Sequence, residues 1–338
     1  MRDAVNLDFL RSVAVLLVVH AHWTVYTGRA GQDGWSGITG VCMFFVHTSL
    51  VLMWSLERDP RVGHFYVRRA FRLYPLWLVV LAIVLLFHLP QSPEFHFRMP
   101  GLREILFNAA LLCNLRFGPN LVGASWTLPI EVQMYLFLPF LFFFARATRA
   151  LWPLLVIDLF VMFYDRTNFP SFYSALPMCI PYFLPGIMGF VLSKRGGLKV
   201  LPGWAFPIFL FLIVLFDRYH GSFRMSWWFC LVLGLAIPLF HDMRAAPVRV
   251  ISHYLAKYSY GIYLTHTIAI VVAVYLLRGH STAVRIGAFW TLLCSLPVLF
   301  YHLIEEPMIR YGSKLAGRLD RHRTPPVTES TLQMEPAP

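Results

Sequence analysis

The chain has 338 residues, of which 58% are hydrophobic, 16% aromatic and only 14% charged. Soluble domains carry about a quarter charged residues, so the composition excludes an ordinary soluble fold and indicates a polytopic membrane protein. The formal net charge of +12 does not point to nucleic acid: the cations sit in short loops between apolar runs, where orientation and anionic lipid account for them.

The first apolar run, 7–26, carries Arg11 and His22. Eleven residues are close to three helical turns, so both side chains share one face, separated by about 16 Å along the axis. Ionisable groups at that depth are costly to insert and face a protein interior or a wet cavity, which makes them candidates for a functional site. His20 lies two residues from His22 and points about 200° away, so the pair cannot clamp one metal from a straight helix. No metal site is expected. The run is too long for a signal-peptide core, holds Asp8 and Arg11, and has no small-residue cleavage site, so it is expected to remain in the mature protein.

Further apolar runs occur at 36–56, 73–89, 128–145, 150–164, 176–193, 204–217, 226–241, 259–277 and 285–304. Those starting at 150, 204 and 226 fall short of the ~20 residues a span requires. His47 in the second run and Asp158 in the fifth are weaker candidates for a polar interior. Before the third run, Arg69 and Arg72 are neighbours on one helical face and Arg68 lies one turn behind Arg72. Three guanidiniums at one membrane level make a phosphate cradle; a positive-inside anchor is the plainer alternative. Segment 102–117 is short and charged, which suits an interfacial or re-entrant helix.

The fourth run is entered through Ser125, Trp126, Glu131, Gln133 and Tyr135. With the N-terminus inside, this helix starts outside, so Glu131 is expected near the depth of His22, where it can orient the imidazole or hold an acceptor hydroxyl. The alternative is an acid favoured by the helix dipole. In the ninth run Ser259, Tyr263 and His266 stand at i, i+4 and i+7, a polar stripe that lines a cavity or hydrogen-bonds between helices. Glu305-Glu306-Pro307 closes the tenth run as a terminator. The five cysteines are odd in number, lie mostly within runs and form no C-x-x-C pair, so they read as packing residues. Residues 312–338 are expected to be a largely disordered, basic, proline-rich cytoplasmic tail after a membrane domain at 1–311.

With the N-terminus inside, nineteen Lys and Arg fall in inner segments, nine in outer loops, and Arg11 within a span. That bias favours ten spans with both termini cytoplasmic; an eleventh would put the later loops on the wrong side. The fold class is therefore all-α integral membrane. The first helix has a cationic foot and, in its outer half, a proton acceptor. A phosphorylated nucleotide on a flexible arm ending in a thioester, as in acyl-coenzyme A, fits that shape.

Taken in order, these segments resemble the motifs of acyltransferase family 3, the membrane O-acyltransferases of bacterial glycans. Leu7-Asp8-Phe9-Leu10-Arg11 with His22 resembles its opening L-D-x-L-R followed by ten residues and His. Gly40-Val41-Cys42-Met43-Phe44-Phe45-Val46 is similar to G-V-D-x-F-F-V, with Cys42 in place of Asp. Arg68 to Pro75 resembles the R-x-x-R entrance, Ser125 to Tyr135 resembles W-S-L-x-x-E-x-Q-F-Y, Tyr258 to His266 resembles S-Y-x-x-Y-L-x-H, and Glu305-Glu306-Pro307 resembles the terminal E-x-P. The resemblance implies a ten-helix domain in the bacterial inner membrane. It would carry acetyl from cytoplasmic acetyl-coenzyme A to an acceptor hydroxyl on exopolysaccharide, lipopolysaccharide or Nod factor. His22 would be catalytic, and Arg69 and Arg72 would bind the acyl donor. The departure at Cys42 removes a carboxylate, so no role is carried to that position.

The residues thus read as an O-acyltransferase. His22 is general base or acyl carrier, Glu131 supports it or the acceptor, Arg11, Arg68, Arg69 and Arg72 hold the donor, and Ser125, Trp126, Gln133, Tyr135, Ser259, Tyr263 and His266 line the cavity. The rival reading is a transporter or flippase of an anionic lipid or glycan that uses the same cations as its pathway.

Overall fold

A computed structural model of the chain describes residues 5–28, 35–90, 97–116, 118–168, 176–220 and 226–321. Among them there is no strand, only one isolated bridge between Leu201 and Phe240. The helices are α1 (Val5–Tyr26), α2 (Trp35–Arg58), α3 (Val62–Leu86), α4 (Leu102–Ala109), α5 (Thr127–Thr148), α6 (Trp152–Asn168), α7 (Leu176–Ser193), α8 (Ala205–His220), α9 (Ser226–Ala236), α10 (Ala246–Val271), α11 (Thr282–Phe300) and α12 (Glu306–Arg321). In hydrocarbon every backbone N–H and C=O must be satisfied within the chain, which is why apolar sequence of this length folds as helix throughout.

Each of the ten apolar runs lies mostly within a helix. Among the described residues, six helical stretches are long and apolar enough to cross a membrane: Val5–Tyr26, Ser36–Arg58, Val62–Leu86, Gly123–Thr148, Ala246–Leu276 and Thr282–Leu319. Shorter apolar helices occur at Trp152–Tyr164, Cys179–Ser193 and Ser226–Leu239. The third helix begins at Val62, eleven residues before its apolar run, so Arg68, Arg69 and Arg72 all stand on helix. The described residues of segment 102–117 form the eight-residue α4, too short to cross, and a 3₁₀ turn at Cys113–Arg116. Buried Asn108 ties this segment down: its amide donates to Pro119 O and its Oδ1 accepts from Leu121 N, both at 3.0 Å, while its backbone carbonyl accepts from the Trp77 indole.

The last helix, Glu306–Arg321, extends into the range expected as tail. It runs to Arg321 because it packs along α3, with Gly312 against Phe71 and Ala316 buried. Residues 322–338 lie outside the described residues. No disulfide joins cysteines among the described residues; Cys294 is exposed and the other four are buried.

Helix α1 is central and packs on both α2 and α10. The approach to α2 is close: a Cβ on Gly40 would stand 2.6 Å from the carbonyl oxygen of Ala14, a clash that only glycine avoids. Against α10, contacts progress in the same direction on both helices. Ser12 donates to Ser252 O at 3.1 Å, Arg11 Nε donates to Ser259 Oγ, and the His22 ring meets His266. The two helices are therefore parallel. On the far side of α2, buried acids tie the shorter helices together: Asp217 accepts from Thr39 and Ser226, and Asp158 from Trp227.

Candidate active site

Parallel packing of α1 and α10 stacks two polar levels on one seam. The lower level is ionic. The Arg11 Nε–H donates to Ser259 Oγ, whose own hydroxyl donates to Ala256 O at 2.8 Å, so Ser259 is fully engaged in fixing that guanidinium. Arg72 of α3 lies 3.6 Å from a Glu305 oxygen and over the Tyr260 ring, 6.0 Å from its centroid. The Tyr260 hydroxyl in turn donates to Leu73 O at 2.7 Å. Glu131 of α5 accepts a hydrogen bond from Tyr135 one turn along. Arg11, Arg69, Arg72, Glu131 and Glu305 interact electrostatically as one cluster. At their usual charges these five sum to one net positive, a level predisposed to an anion.

The upper level is uncharged. His22 Nδ1 lies 2.9 Å from Val18 O. A carbonyl only accepts, so Nδ1 carries the proton and Nε2 keeps a free lone pair. His266 repeats the arrangement, with Nδ1 at 3.1 Å from Ile262 O and a buried Nε2 that no described group meets. The two imidazoles pack edge to face, centroids 4.9 Å apart. His22 is half-buried and His266 fully enclosed, so His22 is the more accessible ring of the two. Tyr263 lies beneath His266, its centroid 6.2 Å away, and bonds the turn that precedes α5 through Ala124 O and Thr127 Oγ1.

Several expected site residues serve elsewhere. Glu131 does not partner His22; its bond runs to Tyr135 and its charge partners are the arginines, because a carboxylate gains far more beside buried guanidiniums than beside a neutral ring. Gln133 clamps the α4–α5 connection through a reciprocal amide pair with Asn114, at 2.8 and 3.3 Å. The Ser125 hydroxyl closes its own turn onto Val122 O at 2.7 Å, and Trp126 occupies the N-cap position of α5 without a side-chain capping bond. His20 meets Ser36 of α2 at 3.2 Å. Among the described residues no three His, Cys, Asp or Glu side chains gather at metal-ligand spacing.

Arg68 leaves the cradle. Its guanidinium pairs with Asp59 at 2.6 Å, and Arg61 and His64 bond the same carboxylate at 2.7 and 3.2 Å. The hydrogen bond from Arg61 holds the Asp59 carboxyl well below the usual carboxylate range, with partial burial opposing and Arg68 adding to the effect. A depressed carboxyl stabilises the fold above its unfolded value of about 3.9, and that contribution drains away as pH falls towards the folded value. Asp59→Asn is therefore expected to lower stability at neutral pH by about 1 kcal/mol, the scale of a partly exposed ion pair. Thermal unfolding in detergent should show the gap from wild type closing only below about pH 4; a gap independent of pH would mean that Asp59 acts through packing.

Two groups of the lower level carry more weight than the sequence suggests. Glu305 is 1% exposed, and neither of its carboxylate oxygens meets a hydrogen-bond donor among the described residues. It is turned inwards by a π-helical turn, Tyr301–Glu305, between α11 and α12. His47, buried on α2, lies within electrostatic reach of Arg11.

Comparison with known proteins adds a family. The family model described as an acyltransferase domain matches residues 5–301, from the first residue of α1 to the start of that π-helical turn. The chain is also 24% identical over 278 residues to a protein of Acidianus two-tailed virus named "Putative acetyltransferase ORF330", covering 76% of this chain and 80% of that one. No solved structure matches.

Proposed function

Since the chain belongs to this acyltransferase family and is an acyl-transferring enzyme with several membrane-crossing helices, we propose that it carries an acyl group, acetyl first, from cytoplasmic acyl-coenzyme A to a hydroxyl of a glycan or glycolipid. The observation that carries the reading is the seam between α1 and α10, with a net-positive level at Arg11 and a free imidazole Nε2 about 16 Å above it. Parallel packing of α1 and α10 suits a first and a ninth span entering from the same side. Ten spans with both termini in the cytoplasm, in the inner membrane of a bacterium, complete the reading.

The donor's phosphates take the lower level, on Arg11, Arg69 and Arg72, and its arm runs up the seam to place the thioester at His22. Glu131 and Glu305 hold the guanidiniums apart and aimed. The acceptor hydroxyl then donates to His22 Nε2. As its oxygen attacks the thioester carbon, the proton passes to Nε2; the carbon–sulfur bond breaks, and the same proton leaves with the thiolate. The products are the ester and the free thiol, and the imidazole returns to its starting form. His266 lines the chamber and holds the His22 ring by its edge.

The experiment is acyl transfer from radiolabelled acetyl-coenzyme A into the glycan and lipid fractions of membranes that carry the protein. Label in either fraction supports the reading, and label only from a longer acyl-coenzyme A changes the acyl group alone. Absence of label from every thioester, with unmodified glycan crossing the membrane, would replace the proposal with transport.

A further inference from the structure

At the end of the bundle where α1 begins, a second recess stands apart from His22. Two cavities adjoin there and share His241, Asp242, Met243 and Arg244. One, of about 570 Å³, is apolar, walled by Pro202, Trp204, Pro207, Ala245 and Val248. The other, of about 360 Å³, is polar and brings Lys199 and Arg249 to Arg244. Lys199 pairs with Asp242 at 2.9 Å, so three cations face one acid and two positive charges remain.

The recess is built, not an accident of loose loops. Val200 N and Leu201 N both donate to Leu239 O, and His241 N donates to Leu201 O, each at 2.9 Å. Asn6 of α1 closes the corner: its amide donates to His241 O and its Oδ1 accepts from Met243 N, both at 3.0 Å. Gly203 is pressed so closely on this strip that a Cβ would stand 2.6 Å from Asp242 O. A basic compartment that opens into an apolar one has the chemistry of an anionic amphiphile. The apolar walls hold few groups that could bond a nucleotide base. Trp204, 70% exposed at the mouth, is the side chain that favours the membrane interface.

We propose that this double recess binds one anionic phospholipid, its phosphate on Lys199, Arg244 and Arg249 and an acyl chain in the apolar cavity. The occupant braces Asn6, five residues below Arg11 on the same helix, and so steadies the foot of the seam between α1 and α10. The inference does not depend on the acyl-transfer reading.

The test is native mass spectrometry of the full chain from detergent, equilibrated with phosphatidylglycerol or phosphatidylcholine. Wild type is expected to retain phosphatidylglycerol preferentially. Each basic residue at an anionic headgroup contributes about a fivefold gain, so Lys199→Gln/Arg244→Gln/Arg249→Gln should lower that preference by on the order of one hundredfold. Ala245→Trp, which fills the apolar cavity without touching a charge, should reduce retention of both lipids. Unfolding temperatures near wild type show that both variants are folded. Equal retention of the two lipids, or a preference that survives both variants, overturns the proposal. So does displacement of phosphatidylglycerol by adenosine 3′,5′-bisphosphate that the triple variant abolishes and Ala245→Trp leaves intact, which would make the recess a nucleotide site.

Discussion

His22→Ala should cost on the order of 10²–10⁴ in kcat, the range set by removing a positioned general base, with the donor KM nearly unchanged. The reason is geometric. Val18 O fixes the ring in the tautomer whose free nitrogen is Nε2, and the arginines that would bind the donor lie three turns away. Initial rates in proteoliposomes across pH supply the check. The wild-type rate falls on the acid side as the imidazole takes up a proton, and the residual rate of the variant does not follow it. His266→Ala, which removes the packing neighbour and leaves Nε2 in place, should lose much less. If the two variants lost equally, or if His22→Ala raised KM alone, the base would lie elsewhere.

The second large effect belongs to Arg72. Arg72→Gln should raise the donor KM by about ten- to a hundredfold, the range of a lost hydrogen bond to a charged group, with a smaller change in kcat. The same substitution strips Glu305 of its nearer cation and leaves it only Arg11, and an under-compensated buried charge is destabilising. Stability and binding are separated by adding Glu305→Gln, since the double variant no longer buries that charge. It should unfold near the wild-type temperature yet keep the raised KM. A KM that returned with stability would show that Arg72 holds the fold and does not touch the donor.

What the sequence discloses is whatever repeats with the helical period. Arg11 and His22 share a face by spacing alone, and the Ser259–Tyr263–His266 stripe comes from the same arithmetic; both fall on the seam. Glu305 was hidden because its orientation depends on a π-helical turn, whose one extra residue rotates the rest of the helix, and no local pattern announces that insertion. It therefore read as the end of a span. Gln133 misled for another reason: its partner Asn114 comes from a connection without periodicity, so a buried amide pair looked like a cavity wall. Arg68 was a matter of competition. Its spacing put it with Arg72, but Asp59, nine residues upstream, claimed it. Glu131 was placed by counting depth from one end of its helix, which ignores the pull of arginines from two other helices.

The bond between Arg11 and Ser259 spans 248 residues of chain, and this bears on how the protein is made. The helix that carries Arg11 leaves the ribosome long before α10, and the hydroxyl that receives its guanidinium arrives only after the helices between them have been synthesised. Until then the cation must be tolerated at the bilayer edge, by snorkelling or through transient partners. Its final place is completed by the late arrival of α10. On the proposed reading the enzyme acts on its substrates only once α10 is in place, and any nascent chain interrupted before Ser259 enters the membrane with the seam of α1 open along one side.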